Sequence, residues 1–548
     1  MSKNKILRII PIGGLGEVGK NMTLYEYGNN ILIVDAGIMF PENDMLGIDY
    51  IIPDFEHYLK DKRDQVRGII FTHGHEDHIG AVQHLLEMVN APIYATKLTL
   101  GLLEVKLNRY GMLAKADLRP VNAGEQISIG PFTVDFFHVC HSIPDGVGLG
   151  IETPAGLVVH TGDYKFDHTP VDNWPTDYAK LAEFAQRGVM ALLADSTNAT
   201  EPGWTPSERT IEGALDQVFD AAKGRILVAT FASLISRMQQ VADAAERHGR
   251  KIAFTGRSMV ENMNMARALG YVDFPERLVI TLEKSLSMPD NQVVLMCTGS
   301  QGEPRSIMGR LANGTNRKFD IREGDTIVLS SQPIPGNEEP VYRTINQLFR
   351  RGADVVYEAI APIHVSGHAS QEEIKLLLHL VRPRYLIPIH GELRMLKQHA
   401  KLAKEVGMPK ENICVVENGQ IIELVNGELR LAERIPGDYI FVDGSGVGDV
   451  DRSIVRERES LAQDGIVVVN LVIDDQTGQL NGDPQIITRG FILMDEMQPM
   501  LDELKKRIQE TLRASDGNLE GQVLRAVKSY LYEETKRNPY IVVNINRI

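Results

Sequence analysis

The sequence predicts a mixed α/β protein of several domains, and three observations support that prediction. Apolar segments of strand length recur along the chain, and four of them lead to a histidine or an aspartate. Residues from about 205 to 361 alternate strand and helix patterns in the rhythm of a parallel sheet covered by helices. The length of 548 residues exceeds one ordinary domain and suggests about three.

Near the N-terminus, residues 14–19 (Gly-Leu-Gly-Glu-Val-Gly) follow an apolar strand and fit the G-x-G-x-x-G pattern of dinucleotide-binding proteins. That fingerprint requires the glycines to open a helix. Here the segments 22–27 and 31–34 are instead typical of two strands joined by a tight turn. We therefore predict a glycine turn between strands and no nucleotide cofactor at this motif.

Residues 73–78 (His-Gly-His-Glu-Asp-His) concentrate more metal-ligand side chains than any other segment. His73 and His75 are two residues apart on an extended segment, so both imidazoles point the same way and can bind one cation. Asp77 and His78 come where a helical pattern begins, which turns this second pair toward a neighbouring point. A closed structural zinc site is disfavoured because such sites are usually rich in cysteine. The motif predicts two adjacent hydrolytic metal ions.

Three more ligands are expected after other strands. They are His141 after the strand 132–139, Asp163 after the strand 156–159, and His390 after the strand 385–389. A single histidine at a strand end is more often a hydrogen-bonded structural residue than a ligand. The repetition of one pattern, an apolar strand followed by a ligand, favours ligands.

Because His390 lies far downstream of the other expected ligands, a separate domain is predicted between them. Its strands are expected at 225–230, 251–254, 292–296, 326–330 and 354–357, and its helices at 211–222, 236–247, 259–269 and 341–350. A helix at 393–405 and a strand near 413–416 should then complete the first domain.

The last part of the chain follows a glycine- and aspartate-rich segment that has the composition of a linker. Strands at 466–473 and 540–545 and helices at 497–514 and 521–532 are expected there. These elements predict a small, separate α/β domain.

The formal net charge of −15 argues at first against a polyanionic substrate, because lysine and arginine contacts usually dominate affinity for nucleic acids. Two bound divalent cations would nevertheless supply positive charge at the scissile phosphate. Basic side chains could also line a local groove, and the candidates are Lys106, Arg109, Arg237, Arg257, Arg305, Arg310 and Arg317.

The cysteines Cys140, Cys297 and Cys414 are far apart and show no C-x-x-C spacing. This pattern indicates neither a disulfide framework nor a zinc ribbon, and it favours a reducing, cytoplasmic compartment. No apolar run reaches the length of about 18 residues that a membrane span needs, and no leader-like apolar core follows the first residues. We therefore expect no membrane association and no signal peptide.

Several motifs occur in one order along nearly the whole chain. They are Thr72–Gly80, His141–Asp145, Thr161–Asp167, Asp195–Ala199, Thr298–Pro304, Pro333–Asn337 and His364–His368. Together they resemble the ribonuclease J family of β-CASP nucleases, and they are far more specific than the H-x-H-x-D-H motif alone. The resemblance implies a metallo-β-lactamase αββα sandwich with an inserted β-CASP α/β domain and a small C-terminal α/β domain.

The resemblance and the changes of pattern together predict five segments. They are residues 1–205 for the first part of the metallo-β-lactamase core, 206–362 for the β-CASP domain, 363–435 for the completing part of the core, 436–452 for the linker, and 453–548 for the C-terminal domain. The role implied for this last domain is dimer formation.

The resemblance implies a zinc-dependent phosphodiester hydrolase with two Zn²⁺ ions per subunit, for which Mn²⁺ or Mg²⁺ are the alternatives. His73, His75 and His141 would hold one ion and Asp77, His78 and His390 the other, with Asp163 bridging them. His368 is the candidate general acid for the leaving 3′-oxygen, with Asp195 orienting it and Asp77 assisting the attacking water. Asp35 is implied to lie near the metals.

A second group of residues is expected to hold substrate. Backbone N–H groups where a strand enters a helix at Ser233, Leu234 and Ile235 suit a phosphate, although Ser233 alone is more often a helix cap. The family uses the matching segments, including a 5′-monophosphate pocket, and in this chain these add His364, Val365, Ser366, Gly367 and His368. Ser236 stands where the family often has histidine, which brings the 5′-end preference into question.

The resemblance further implies a structural calcium at Gly47, Asp49 and Asp443, although ordinary loop carboxylates explain these residues better from sequence alone. The implied function is 5′→3′ exonuclease and endonuclease action on single-stranded RNA, in mRNA decay and in maturation of rRNA and other RNAs. A homodimer or tetramer, and partners in an RNA-degradation complex, are also implied. The alternatives are a weakly active binding subunit of a ribonuclease complex, a DNA-acting β-CASP nuclease, and a small-ester hydrolase of the same fold.

Overall fold

The computed structural model of the protein describes residues 6–477, 479–492, 494–514 and 518–548. Contacts divide the chain into two compact units. The first comprises Met1–Phe40 and Tyr50–Ile440, and the second comprises Pro41–Asp49 and Phe441–Ile548. The segment 41–49 therefore belongs with the C-terminal part of the chain, which its position in the sequence did not indicate.

Two sheets form the centre of the first unit. The larger one has eight strands in the spatial order Glu428–Arg434, Gln420–Val425, Ile6–Gly13, Met22–Tyr27, Asn30–Val34, Val66–Ile70, Ile93–Ala95 and Leu118–Pro120. The other has six strands in the order Tyr385–Ile389, Val189–Asp195, Gly156–His160, Val147–Thr153, Phe132–His138 and Gln126–Ile129. Buried apolar side chains from both sheets form one core, for example Leu32 and Ile70 from the first with Val134 and Leu149 from the second.

Helices cover the outer faces of this pair of sheets. Those of the core are Phe55–Leu59, Glu76–Ile79, Val82–Met88, Lys97–Arg109, Tyr178–Arg187, Gln371–Val381 and Leu393–Glu405, with a further strand at Tyr50–Pro53. Phe184, Leu377 and Leu402 from three of the helices pack against the outer face of the six-stranded sheet. The αββα sandwich is therefore confirmed.

The predicted inserted domain is present in the same unit. Its five parallel strands have the spatial order Lys251–Phe254, Val293–Cys297, Ile226–Ala229, Thr326–Leu329 and Asp354–Val356. The central strand 226–229 and its neighbour 293–297 are buried at every residue, as expected for a parallel sheet that is covered on both faces. Its helices are Thr210–Ala221, Ile235–Arg247, Arg257–Leu269, Leu282–Leu286, Ile307–Ala312 and Glu338–Arg350.

Most predicted elements of the first unit agree with the structure to within a few residues, and the exceptions lie in short segments. The short helices 282–286 and 307–312 were not predicted. The strand expected near 413–416 is wrong, because only an isolated bridge between Leu386 and Ile413 forms there. The strands Gln420–Val425 and Glu428–Arg434 were missed, and they extend the larger sheet beyond its first strand.

The second unit is built on a three-stranded sheet in the order Gln485–Arg489, Ile466–Ile473 and Tyr540–Arg547. Its helices are Arg452–Asp464, Met494–Arg513 and Leu519–Thr535. Alternate residues of the strand 466–473 are buried, so one face of the sheet packs on helices and the other is only half-covered. The segment predicted as a linker contains the hairpin strands Tyr439–Asp443 and Gly446–Val447. Within the described residues, no helix is long and apolar enough to cross a membrane.

Candidate metal centre and nuclease site

The expected ligands are carried by loops at the ends of strands of the sandwich. The strand Val66–Ile70 leads to His73, and His75 then precedes the short helix Glu76–Ile79 that carries Asp77 and His78. Because strand ends of both sheets converge here, residues far apart in sequence become neighbours. The structure brings together all seven side chains for which a metal-binding role was predicted.

Three of these side chains form the first cluster. A ligand nitrogen of each of His73, His75 and His141 lies within 4.8 Å of the others. His141 Nδ1 lies 2.8 Å from the carbonyl oxygen of Gly367, which leaves its Nε2 directed at the cluster. A side chain at position 367 would not fit, since a Cβ there would lie 2.6 Å from the His141 ring. The glycine therefore lets the 364–368 segment approach the cluster closely.

The second cluster consists of Asp77, His78, Asp163 and His390, whose ligand atoms also lie within 4.8 Å of one another. Asp163 reaches both clusters. Its Oδ2 lies 3.2 Å from His78 Nε2 and 3.6 Å from His73 Nε2, which belong to different clusters. This is the position that a bridging carboxylate would occupy between two ions.

The residues present fit a divalent metal. His73 Nε2 and His390 Nε2 are buried and have no hydrogen-bond partner among the described residues, a costly condition that coordination would relieve. Asp35 Oδ2 lies 2.8 Å from His78 Nδ1, which directs the other ring nitrogen inward, as supporting carboxylates do around metal-binding histidines. Asn21 Nδ2 lies 3.1 Å from that inner nitrogen and is a neighbour that sequence reasoning missed.

Burial and neighbouring charges set the protonation of the ligands. Burial opposes protonation of His390 and His78, but Asp163 raises the pKa of His390 to about 10 and that of His78 well above its usual range, so metal binding must displace a proton from each ring. Burial lowers the pKa of His75 to about 4 and brings the pKa of His141 well below its usual range, so both rings are neutral ligands near pH 7. Burial alone would raise the pKa of Asp163, but His390 and His78 hold it well below its ordinary value. The carboxylate is therefore ionised and available to a cation.

His368 and Asp195 lie beside these clusters. Asp195 Oδ2 is 2.7 Å from His368 Nδ1, and its other oxygen accepts hydrogen bonds from the backbone N–H and the hydroxyl of Thr197. Burial opposes protonation of His368, but Asp195 and Asp163 raise its pKa above the ordinary value. This arrangement favours an imidazolium with a fixed orientation, as a general acid requires.

Residues missed by sequence reasoning hold the 364–368 segment in place. Asn198 donates hydrogen bonds to Ser366 Oγ and to the carbonyl oxygen of His368, and the Thr205 hydroxyl donates to the same carbonyl. The buried ammonium of Lys165 donates to the carbonyl oxygen of Ser366. Asn198 and Lys165 lie within the motifs Asp195–Ala199 and Thr161–Asp167. Their place in these family motifs was the only feature of the sequence that could have indicated this role.

The predicted phosphate contacts lie on the inserted domain and on this segment. Leu234 is the first residue before the helix Ile235–Arg247, and no side chain caps that helix. His364 Nδ1 is buried, and no described residue forms a hydrogen bond with it. Burial lowers the pKa of His364 to about 3, with Arg237 and Lys165 contributing, so this neutral ring and its cationic neighbours are suited to an anion.

Arg237 does not line an open groove, which corrects the expectation from sequence. It is fully buried and donates to Glu208 Oε2 at 2.9 Å, to Gln240 Oε1 at 2.8 Å and to the carbonyl oxygen of Ile363 at 2.8 Å. It therefore ties the helix that contains Ser236 to the start of the 364–368 segment.

The glycine motif at 14–19 forms no helix, as predicted. Leu15 and Gly16 pair in parallel with Gly391 and Glu392, the two residues after His390. The motif thus supports the backbone that carries the last ligand of the second cluster.

The residues implied for calcium lie in the second unit. Asp443 Oδ2 accepts a hydrogen bond of 2.7 Å from Arg458, which also donates to the carbonyl oxygen of Leu46. Asp49 Oδ2 accepts from the backbone of Gly444. These oxygen donors fit a hard cation, but the Arg458 guanidinium already balances the charge of Asp443.

Comparison with known protein families agrees with this geometry over nearly the whole chain. The model of the metallo-β-lactamase superfamily matches residues 15–201, and that of the β-CASP domain of ribonuclease J matches residues 223–348. The model of the RNA specificity domain of Zn-dependent metallo-hydrolases matches residues 352–415, and that of the ribonuclease J C-terminal domain matches residues 453–548.

Whole proteins give the same result. The chain is 42% identical to ribonuclease J2 of Bacillus subtilis over 98% of both chains, and 42% identical to ribonuclease J of Thermus thermophilus over 98% of this chain and 94% of the relative. It is 44% identical to ribonuclease J of Synechocystis over 93% and 80% of the two chains. A solved structure of a protein of unknown function from Enterococcus faecalis shares the fold, with 16% identity, a TM-score of 0.55 and coverage of 76% of this chain and 100% of that one. The chain therefore belongs to the ribonuclease J family of metallo-β-lactamase-type hydrolases.

Proposed function

We propose that the protein is a two-zinc ribonuclease that cleaves single-stranded RNA by 5′→3′ exonucleolytic and endonucleolytic hydrolysis. The observation that carries the proposal is the position of the His368–Asp195 pair beside two clusters suited to divalent metals. A metal cluster alone would fit many hydrolases. The additional oriented acid fits a reaction in which an oxygen leaving group must be protonated.

Each group in the site then has a distinct task. Bound divalent ions would supply Lewis acidity and an activated water at the scissile phosphate. Asp77 would assist the attacking water, and Asp163, which reaches both clusters, would join them. His368 Nε2 gives its proton to the leaving 3′-oxygen while Asp195 stabilises the ring orientation through Nδ1. The products would carry 5′-monophosphates.

The 5′-monophosphate of the RNA would bind between the helix start at Ser233–Ile235 and the segment His364–His368. The backbone N–H of Ser233, the neutral His364 ring and the hydroxyl of Ser366 are the proposed contacts, because the N–H groups of Leu234 and Ile235 already donate to backbone carbonyl oxygens. Ser236 supplies a shorter side chain than the histidine that is frequent in the family. We therefore expect a weaker preference for a 5′-monophosphate than a histidine at this position would give.

The test is digestion of one single-stranded RNA bearing a 5′-monophosphate or a 5′-triphosphate, beside the matching DNA, by protein whose metal content has been measured. Early release of mononucleotides from the monophosphorylated RNA is the expected result. The Ser236→His variant should increase the ratio of monophosphorylated to triphosphorylated cleavage by several-fold, since it adds about one charge-assisted contact. Asp77→Ala serves as the inactive control.

Two other outcomes would replace the proposal. If metal-loaded protein cleaves no RNA, the chain is better described as a binding subunit of a ribonuclease complex. Preferential cleavage of the DNA would instead indicate a DNA-acting nuclease. Inductively coupled plasma mass spectrometry of the purified protein decides between zinc, manganese and magnesium, and it gives the number of ions per chain.

The structural calcium stays a prediction, and Arg458 supplies its test. Because Arg458 neutralises Asp443, calcium must compete with the guanidinium. We therefore expect about 1 mM Ca²⁺, which is close to the dissociation constants of weak extracellular calcium sites, to stabilise the wild type little. In Arg458→Ala, the same calcium should raise Tm by several degrees, measured by differential scanning fluorimetry against EGTA and Mg²⁺. The absence of a calcium response in both proteins would remove the site.

The second unit offers a surface for the proposed homodimer or tetramer. Ile487, Val468 and Val542 are neighbours across its three strands, on the half-covered face of the sheet, and Ile487 is 48% exposed. Sedimentation velocity of the full chain tests this proposal.

The proposed location is the cytoplasm, which agrees with three free cysteines. The proposed cellular roles are mRNA decay and rRNA maturation, with partners in a degradation complex.

A further inference from the structure

A cleft of about 610 Å³ lies in the inserted domain, and none of its lining residues belongs to the metal clusters. It opens at the carboxyl end of the edge strand Lys251–Phe254, where Thr255 and Gly256 lead into the helix Arg257–Leu269. Ligands of open parallel sheets bind at this end of the strands. Its volume lies within the range of about 300–1,000 Å³ typical of small-molecule sites.

Positive charge dominates the polar part of this cleft. Arg257, Arg310, Arg317 and Lys318 line it, with Glu261 as the one acidic lining residue. Glu261 is itself paired with Arg257 and with Arg109, which is not part of the lining. Among the described residues, Arg317 and Lys318 have no ion-pair partner, and both are exposed. Such a concentration of cations in a chain of net charge −15 indicates an anionic ligand.

The backbone at the N-terminus of the helix Arg257–Leu269 adds to the positive potential of the cleft. Gly256 precedes the helix with a φ of +98°, and no side chain caps the first turn. The helix has 13 residues, so its first N–H groups and its dipole favour an anion at this end. Glycine adopts this positive φ without strain, whereas a residue with a side chain would be strained. Because glycine has no side chain, the approach to those N–H groups is also open.

The remaining wall of the cleft is apolar. Phe254, Leu282 and Ile307 are each less than 9% exposed and contribute side chains to the lining, together with the partly exposed Val260. An inorganic anion would gain nothing from such a wall. A ligand with a flat apolar part and a phosphate would use both halves of the cleft.

We propose that this cleft binds a nucleotide, with its base against Phe254, Leu282 and Ile307 and its phosphate at the helix start and the basic side chains. The nucleotide can come from two sources: a free nucleoside phosphate, or one residue of an RNA strand that extends from the nuclease site. The binding itself does not depend on the proposed RNA hydrolysis, since the cleft shares no residue with the metal clusters.

The test compares the full-length wild type with the double variant Arg317→Ala/Lys318→Ala, whose side chains are exposed and whose loss should not affect folding. The matched control is Lys401→Ala/Lys404→Ala, which removes two exposed lysines from the helix Leu393–Glu405. Calorimetric titration with adenosine 5′-monophosphate, inorganic phosphate and a short RNA gives the affinities. Photo-crosslinking with 8-azidoadenosine 5′-monophosphate locates the bound nucleotide.

If a free nucleotide is the ligand, crosslinks fall within residues 254–318, and the double variant loses that binding by at least about tenfold while the control keeps it. If the RNA strand is the source, the double variant instead binds the RNA several-fold more weakly, with a shallower salt dependence. Unchanged binding of both probes overturns the proposal, as does inorganic phosphate that competes as well as the nucleotide. If the wild type crosslinks the nucleotide but cleaves no RNA, the proposed function is contradicted and the proposed nucleotide site is not.

Discussion

Replacement of Asp163 by alanine is expected to abolish RNA hydrolysis, with a decrease in kcat of at least about 10³-fold. The carboxylate lies 3.2 Å from His78 Nε2 and 3.6 Å from His73 Nε2, so its loss removes one ligand from each cluster. The bound metal per chain should decrease in parallel. Single-turnover cleavage and metal analysis of the same preparation measure both quantities.

The matched control is Asp117→Ala. Asp117 is an exposed carboxylate that pairs with Arg119 on the surface, and its removal should leave metal content and cleavage unchanged. Asp163→Asn tests whether charge or shape matters, because the amide keeps the size of the side chain but is a poor bridging ligand. Wild-type turnover by an Asp163→Ala protein with a full metal complement would contradict the assignment of this residue.

Replacement of His368 by alanine is expected to lower kcat by about 10²–10⁴-fold while the metal content stays near that of the wild type. His368 belongs to neither of the two clusters described above. Its ligand atom lies within 4.8 Å of those of Asp163, Asp195 and His390, but its Nδ1 is already engaged by Asp195 at 2.7 Å. The expected defect therefore concerns proton transfer to the leaving oxygen and not the assembly of the metal centre.

A substrate with sulfur in place of the bridging 3′-oxygen separates these two explanations. A thiolate leaves without protonation, so His368→Ala should cleave this linkage at a rate within about tenfold of the wild type. Asp195→Asn should behave in the same way with a smaller defect, since the ring remains present but loses its orientation. A variant that stays slow on the sulfur substrate would show that His368 has another role.

The sequence indicated which side chains would lie together at the two clusters, and part of that geometry is local. The spacing of His73, His75, Asp77 and His78 sets the direction of four side chains, and the ends of neighbouring strands bring in the others. Strong periodicity likewise predicted the inserted sheet and most of its helices. The 73–78 motif and the strand–helix rhythm depend on residues close in the chain, so pattern is sufficient to find them. His141, Asp163 and His390 were indicated by the repeated pattern of an apolar strand followed by a ligand.

Features that depend on distant contacts could not be found in this way. Arg237 looked like a surface cation, but Glu208 and the carbonyl oxygen of Ile363 meet it in the interior. The strands Gln420–Val425 and Glu428–Arg434 flank Asn426-Gly427, a local hairpin signal that was overlooked. Their place in the sheet depends on a distant contact, because Gln420–Val425 pairs with Ile6–Gly13 and Glu428–Arg434 pairs with Gln420–Val425. The assignment of residues 41–49 to the second unit also arises from contacts with a segment some 400 residues away.

The order in which the ligands occur along the chain has a consequence for biosynthesis. The strand Tyr385–Ile389 inserts beside Val189–Asp195 and delivers His390 to a cluster whose other members were made more than 200 residues earlier. During synthesis, the nascent chain lacks this ligand until residue 390 of 548 has been made. The 364–368 segment is made only shortly before that point. A nuclease built in this order stays inactive through most of its own translation, so the messenger that encodes it is exposed to the finished hydrolytic centre only late in synthesis.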